Sequence, residues 1–238
     1  MQLTKLPETC TMISWMAWLL LVLSLQTYGS EERNLLQKAA DENQLAQMLL
    51  LNQQWVTYPA YTDRAGWDKL TGSLKTSLIQ KGEQSLDYHW EVITISDYLD
   101  FERTGGLDLA QAPFERNIRA LNNLVFAELA EGKGRFLDQI INGVWYHCEM
   151  SNWALPNGLM ATLAIYPRRP MPNPNDQVVD LTSSDMGSFL AWTYYFLKES
   201  MDKVHHAISG NLRNNLQRRI LDPYMQRSNF WWQALDHK

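Results

Sequence analysis

The chemically most capable side chains of this sequence cluster near its middle, where a short stretch contains Tyr146, His147, Glu149 and Asn152. These residue types suit β-elimination from a uronic-acid polymer, in which Asn or His neutralises the substrate carboxylate and Tyr or His removes the adjacent proton. Because a Tyr can also protonate the leaving oxygen, we take the four residues as candidate catalytic groups. Neighbours on a helix point about 100° apart, so Tyr146 and His147 cannot both face one substrate without a helix break.

Glycoside hydrolysis is an alternative chemistry, because it needs two carboxylates that flank the scissile bond. The carboxylates that could contribute are Glu149, Asp180, Asp185, Asp222 and Asp236. Asp185 and Asp222 are equally well explained as residues near helix ends, and no spacing selects one pair. The sequence therefore leaves a hydrolase open and identifies no acid–base pair.

Flat aromatic and basic side chains could hold an acidic sugar beside these groups. Trp153, Trp231 and Trp232 offer apolar ring faces on which sugar rings can stack. Arg168 and Arg169 could pair with the negative groups of an anionic sugar. Each of these residues also has a purely structural interpretation. The Trp residues could pack in the core, and the Arg pair could be solvated on the surface. The four catalytic candidates could lie at the polar rim of the core.

Metal and cofactor chemistry find no support in the sequence. His205 and His206 are adjacent, so their side chains diverge on a helix, and no Cys or carboxylate completes a ligand set at a familiar spacing. A Gly-rich phosphate loop and a Gly-x-Ser-x-Gly elbow are both missing, which argues against nucleotide chemistry and serine hydrolysis. We therefore expect neither a cofactor nor a metal ion.

The candidate residues lie on and after a predicted helix. Its apolar face is formed by Leu137, Ile140, Ile141, Val144, Trp145 and Cys148, which recur at helical spacing. Gly132 and Gly134 provide the turn before this helix, and a further apolar helical pattern precedes the turn. The two helices are therefore expected to form a hairpin.

The rest of the chain also favours helices. Residues 85–103 contain a β-branched run at 92–95 but keep a helical phase, so we predict a helix there. Residues 157–179 contain four prolines and predict a long irregular connection. The pattern as a whole predicts an all-α domain of helical hairpins, either layered or toroidal.

The first 29 residues predict a secretory signal peptide. Lys5 precedes the uncharged apolar run 13–25, and small residues lie before a cleavage site that follows Gly29. The run is shorter than the about 20 apolar residues of a transmembrane helix. We therefore expect residues 30–238 to form an exported domain, in the periplasm or at the cell surface, without stable membrane insertion.

Charge and cysteine content narrow the partners further. The net charge is −5 with or without the first 29 residues, because that segment contains one positive residue, Lys5, and one negative residue, Glu8. General nucleic-acid binding is therefore not expected. Cys10 also lies in that segment, so Cys148 is the only cysteine of the mature chain and an intrachain disulfide is excluded.

Several segments resemble the secreted heparinase II/III-like proteins of Bacteroidetes. They are YLDFERTGG at 98–106, ALNNLVFAELAEGKGRFLDQIINGVWYHCEM at 120–150, SFLAWTYYF at 188–196, and RRILDPYM at 218–225 with the following FWW. The resemblance covers most of the mature chain and is most specific in EGKGRFLDQIINGVW. It implies an incomplete α/α toroid and a polysaccharide lyase that acts on acidic sugars such as heparin, heparan sulfate or alginate.

The sequence also departs from the pattern of this family. A β-sandwich normally follows the toroid, and the catalytic Asn, Tyr and His of the family are expected mainly beyond Lys238. The segment after Trp153 lacks the His expected near Gly158. We therefore expect the N-terminal helical part of such a lyase, incomplete or inactive by itself. A non-catalytic carbohydrate-binding helical domain and an α/α-barrel glycoside hydrolase stay open as alternatives.

Overall fold

The computed structural model of the protein describes residues 38–39, 42–49, 58–162, 171–228, 230 and 232. These residues belong to two units, one before residue 58 and one from residue 58 onward. In the first unit, helix α1 spans Glu42–Met48. The predicted signal peptide lies outside the described residues.

The second unit is helical, which confirms the predicted all-α fold class. Its helices are α2 (Arg64–Thr71), α3 (Lys75–Glu83), α4 (Ile95–Thr104), α5 (Asp108–Glu131), α6 (Leu137–Glu149), α7 (Pro156–Thr162), α8 (Leu181–Val204), α9 (His206–Leu216) and α10 (Asp222–Gln226). A 3₁₀ turn at Gly72–Leu74 joins α2 to α3, and a π-helical turn at Gln217–Leu221 joins α9 to α10. No described helix combines the length and the apolar character that a membrane crossing requires.

The core of this unit forms around α5, which packs against α2, α3, α4, α6 and α8. Its fully buried aliphatic side chains include Leu121, Leu124, Ile140, Leu190 and Leu197. Each such side chain contributes about 1.5–3 kcal/mol relative to an exposed one. The predicted apolar face of α6 is confirmed at Ile140, Val144 and Cys148 but is wrong at Trp145, which is 42% exposed.

The predicted turn between α5 and α6 is confirmed and is held by a buried carboxylate. Gly132 and Gly134 have φ values of 68° and 78°, which other residues rarely adopt. Glu128 at the end of α5 accepts hydrogen bonds from the Tyr61 hydroxyl (2.5 Å), the Gly134 N–H (2.8 Å) and the Phe136 N–H (3.2 Å). These contacts fix the direction in which α6 leaves the turn.

Residues 88–94 have no regular secondary structure, so the predicted helix 85–103 is wrong in its first half. The Asn117 side chain on α5 accepts a hydrogen bond from the Glu91 N–H (3.0 Å) and donates one to the Glu91 carbonyl (2.8 Å). Because this distant side chain satisfies both backbone groups of Glu91, this residue does not need helical hydrogen bonds. Helix α4 begins only after Thr94, whose hydroxyl caps it.

The connection predicted to be irregular over residues 157–179 contains most of helix α7. Residues 163–170 lie outside the described part of the chain, and residues 171–180 run without regular structure up to α8. Asp180 caps α8, because its carboxylate accepts a hydrogen bond from the Ser183 N–H (2.8 Å) and its own N–H donates to the Ser183 hydroxyl (2.8 Å). This cap anchors the end of the 171–180 segment.

Candidate functional site

A cleft of about 330 Å³ opens at the carboxyl end of α6 and is called the α6 cleft below. Its lining residues are Val92, Ile93, Ile95, Tyr98, Tyr146, Glu149, Met150, Ser151, Asn152 and Pro172. Three of the four catalytic candidates, Tyr146, Glu149 and Asn152, are therefore brought together. The irregular segment 88–94 and the start of α4 supply apolar side chains, and the end of α6 supplies polar ones.

Tyr146 places a protonated phenol in this cleft. Its hydroxyl donates a hydrogen bond to the Glu91 carbonyl (2.5 Å), and its ring stacks on Trp90 with 5.9 Å between the ring centroids. Burial raises the pKa of the phenol above its usual value, and the Glu91 carboxylate adds to the rise while a hydrogen bond from Asn117 opposes it. The hydroxyl is therefore suited to donate a proton at neutral pH and is poorly suited to act as a base.

Glu149 is the last residue of α6 and contributes the carboxylate of the α6 cleft. Its side chain makes no hydrogen bond or ion pair within the described part of the chain, and the residue is exposed to solvent. A negative charge at a helix carboxyl end opposes the helix dipole, at a cost of about 0.3–1 kcal/mol. Glu149 is thus free to accept hydrogen bonds from a ligand.

Asn152 borders the cleft but is largely occupied with the local backbone. The residue is 1% exposed, and its side-chain oxygen accepts a hydrogen bond from the Ala154 N–H (2.9 Å). Its side-chain nitrogen donates only a long hydrogen bond (3.4 Å) to the Asp176 carbonyl. The amide therefore shapes the turn after α6 and retains donor capacity on the nitrogen.

Tyr98 on α4 is a lining residue that the sequence did not single out as a site residue. Its hydroxyl lies 3.4 Å from the Ala154 carbonyl, and burial raises the pKa of the phenol. In the sequence it continues the apolar phase of the predicted helix, which is a signal for a core position. The distant turn after α6 brings this phenol to the cleft, and no local pattern predicts that contact.

His147 points into the core rather than into the cleft. The residue is fully buried, and its ring is 5.9 Å from the Trp90 ring between centroids. Nδ1 lies 2.7 Å from the Gly143 carbonyl, so this nitrogen carries the proton. Burial lowers the pKa of the imidazole to about 4, so the ring is neutral at pH 7. Nε2 has no hydrogen-bond partner within the described residues.

Trp153 is a core residue as well. It is 1% exposed, and its indole N–H donates a hydrogen bond to the His147 carbonyl (2.8 Å). That carbonyl belongs to the last turn of α6, where no intrahelical donor is available. Trp153 therefore closes the end of α6 and offers no ring face to a sugar.

The other predicted sugar-binding residues lie elsewhere. Trp232 is 38% exposed, donates a hydrogen bond to the Val179 carbonyl (3.0 Å) and stacks on Phe230 at 5.5 Å between centroids, but it does not line the α6 cleft. Arg168, Arg169 and Trp231 lie outside the described residues. The structure therefore brings together three of the nine predicted site residues.

A second, more open groove of about 460 Å³ lies between α5 and α8. Its lining residues are Gln111, Phe114, Glu115, Ile118, Arg119, Asn122, Leu155, Thr182 and Asp185. Glu115 and Asp185 bring two carboxylates to this groove, and Asp185 is one of the carboxylates considered for hydrolysis. Gln111 donates a hydrogen bond to Glu115 (2.6 Å), so one of the two is already partly engaged.

None of the models of known protein families matches the chain, and a search of curated proteins also found no match.

Proposed function

We propose that the chain is the helical portion of an exported polysaccharide lyase related to the heparinase II/III-like proteins, and that its α6 cleft binds a uronic-acid-containing saccharide. The observation that carries the proposal is the convergence of Tyr146, Glu149 and Asn152 on one cleft. The resemblance of the 120–150 segment to that family supports the same function. An incomplete α/α toroid is part of this proposal.

The lining of the cleft suits a sugar. Val92, Ile93 and Ile95 offer apolar contact to the C–H face of a sugar ring, while Glu149 and Ser151 offer polar groups to its hydroxyls. A volume of about 330 Å³ lies at the lower end of the range for small-molecule sites, about 300–1,000 Å³. The cleft therefore accommodates a short stretch of a saccharide chain.

In β-elimination, Tyr146 would act as the acid. Its raised pKa keeps the phenol protonated, so it can deliver the proton to the glycosidic oxygen as that oxygen leaves. Glu149, the carboxylate of the cleft, would act as the base and accept the proton from the carbon beside the uronate carboxylate. The electron pair left on that carbon forms the C4–C5 double bond and expels the glycosidic oxygen. The Asn152 side-chain nitrogen is the lining donor that could face the carboxylate, since its present hydrogen bond is long.

A non-catalytic carbohydrate-binding domain is the second candidate, and one observation favours it. The described residues that line the α6 cleft include no Arg, Lys or His, so a uronate carboxylate meets no full positive charge there. Stabilisation of developing negative charge is usually the largest contribution to such catalysis. With this lining alone, we expect the cleft to bind saccharide more effectively than it cleaves it.

A hydrolase is the third candidate, and it would use the groove between α5 and α8. Glu115 and Asp185 supply the two carboxylates that such an enzyme requires. Arg119 lies in the same groove and could orient one of them. This candidate would leave the α6 cleft without a catalytic role.

One assay separates the three candidates. The protein is incubated with heparin, heparan sulfate and alginate, and both the ultraviolet absorbance of unsaturated uronate and the reducing ends are followed. A lyase increases both signals, a hydrolase increases reducing ends alone, and a binding domain changes neither while retaining the polymer on a column. Reducing ends without absorbance, or no retention of any polymer, would contradict the proposal.

A further inference from the structure

Arg219 is an arginine that is buried without a carboxylate among its described partners. It lies in the π-helical turn Gln217–Leu221 and is 2% exposed. Its guanidinium donates hydrogen bonds to the Asn215 side-chain oxygen (2.7 Å), the Gln177 side-chain oxygen (3.2 Å), the Cys148 carbonyl (3.0 Å) and the Met150 carbonyl. Burial lowers its pKa to about 10, which leaves the group charged at neutral pH.

Two of these acceptors belong to the carboxyl end of α6. The last carbonyls of a helix have no intrahelical donor, and many helices end on a left-handed glycine that supplies one. Here Met150 follows the helix in an extended conformation, with φ −58° and ψ 143°. The guanidinium of Arg219 therefore provides the cap, and its charge complements the negative end of the α6 dipole.

The Gln177 acceptor extends the contact to the 171–180 segment. The Gln177 side-chain nitrogen donates hydrogen bonds to the Ser151 carbonyl (3.0 Å) and the Pro174 carbonyl (2.9 Å). Met150, Ser151 and Pro172 all line the α6 cleft. Through Gln177, one guanidinium thus fixes both backbone segments that border the cleft on this side.

The π-helical turn explains how Arg219 reaches this position. A π turn inserts extra chain into a helix and rotates the residues within it, and such turns are frequent at functional sites. Arg218, the preceding residue, is exposed, and among the described residues its hydrogen bonds go to the Asn215 side chain, whereas Arg219 turns inward. The guanidinium also lies over the Trp153 ring, 5.2 Å from its centroid.

We propose that Arg219 is a positioning residue for the α6 cleft: it holds the end of α6 and the 171–180 segment at the separation that saccharide binding requires. This inference rests on the saccharide-binding function proposed above. A planar guanidinium can serve four acceptors in different directions, whereas the ammonium of lysine has three donors at one point. Arg219→Lys therefore keeps the charge but cannot hold both segments.

The first test compares Arg219→Lys with Arg218→Lys, its exposed neighbour. Affinity for heparin-derived and alginate-derived tetrasaccharides is measured by calorimetry, and backbone hydrogen exchange is measured without ligand. We expect Arg219→Lys to weaken binding about tenfold, the effect of one or two lost hydrogen bonds to a charged group. Exchange should rise in residues 149–152 and 171–177 while α5 stays protected, and Arg218→Lys should match the unsubstituted protein in both measurements.

Gln177→Leu provides the second variant, because it removes only the link to the 171–180 segment and retains the cap on α6. We expect exchange to rise in residues 171–177 and not in α6. Unchanged exchange in both variants, or a uniform rise throughout the unit, would overturn the positioning role. Because exchange needs no ligand, that outcome is distinct from a failure of the unsubstituted protein to bind any saccharide, which would contradict the proposed function instead.

Discussion

The two sides of the carboxyl end of α6 both carry predicted site residues, but in opposite environments. On one side, Tyr146 and Glu149 line a cleft, and the Tyr146 phenol stays protonated. On the other side, His147 is fully buried and Trp153 closes the helix end. Residue type alone makes Tyr146, His147 and Glu149 catalytic candidates and Trp153 a sugar-stacking candidate, but only the cleft side is available to a ligand.

The difference originates in the packing of Trp90 against α6. A side chain at Gly143 would collide with the Trp90 ring, so this glycine allows the 88–94 segment to approach the helix. The Trp90 ring then meets Tyr146 face to face and His147 edge to face. The Trp90 ring therefore covers the His147 side chain and leaves Tyr146 at the boundary with the cleft.

The largest expected loss of stability comes from a substitution on the core side of α6. Trp153→Ala should lower the free energy of unfolding by about 3–5 kcal/mol, the usual cost of emptying a buried Trp site. Trp232→Ala, at a ring that is 38% exposed, should cost about 1 kcal/mol. Urea unfolding of both variants checks the difference, and equal losses would show that Trp153 is not the closing residue of α6.

The next largest loss of stability is expected at low pH, through His147 on the core side of α6. Burial lowers the pKa of His147 to about 4 in the folded protein, from 6.5 as its ordinary value. Between these values the unfolded chain binds a proton that the folded protein does not, so stability is complete above about pH 6.5 and falls as the pH drops towards 4. The loss should reach about 3 kcal/mol at pH 4 and below.

His147→Asn is the matched control for this pH dependence. Its amide nitrogen can take the place of Nδ1 and donate to the Gly143 carbonyl, but it does not titrate. Stability measured by urea unfolding at several pH values should change less between pH 6.5 and 4 in this variant. An unchanged pH dependence would mean that other groups cause the acid loss.

On the cleft side, Tyr146→Phe should affect binding more than stability. The Glu91 carbonyl loses the phenol donor but keeps the Asn117 side chain, so the stability loss should be about 1 kcal/mol. Saccharide affinity should fall about tenfold, because the ligand loses a hydrogen bond to the phenol oxygen, whose own proton is donated to the Glu91 carbonyl. Calorimetry measures the affinity and urea unfolding measures the stability. An unaltered affinity would show that Tyr146 does not belong to the site.

The smallest stability effect is expected for Glu149→Gln. The exposed side chain has no hydrogen-bond partner among the described residues, so the free energy of unfolding should change by about 0.5 kcal/mol or less. Saccharide affinity should nevertheless fall, because a carboxylate is a stronger acceptor than an amide. Asp138→Asn, at the opposite end of α6, is the control and should leave affinity unchanged.

Local patterns predict helix α6 and the turn between α5 and α6. The spacing of Ile140, Val144 and Cys148 and the glycines at 132 and 134 depend on contacts close in sequence. The inward direction of His147 also has a local signal, since it lies two helical turns after Ile140. The helical phase therefore predicts a buried ring at His147, whereas the residue type favours a catalytic one.

The features that sequence reasoning missed all depend on contacts between distant residues. Asn117 satisfies the backbone N–H and carbonyl of Glu91 in the 88–94 segment. Arg219 caps α6 by donating to the Cys148 carbonyl, 71 positions earlier in the chain. Neither contact leaves a periodic pattern. The shape of the α6 cleft depends on both, which is why its residue types could be predicted but its walls could not.

Calorimetric titration of the full chain with heparin-derived and alginate-derived tetrasaccharides tests the central claim most directly. We predict saturable binding of at least one saccharide, which Tyr146→Phe weakens about tenfold and His147→Asn leaves unchanged at pH 7. Absence of binding to either saccharide, or equal loss in both variants, would contradict the assignment of the α6 cleft as the saccharide site.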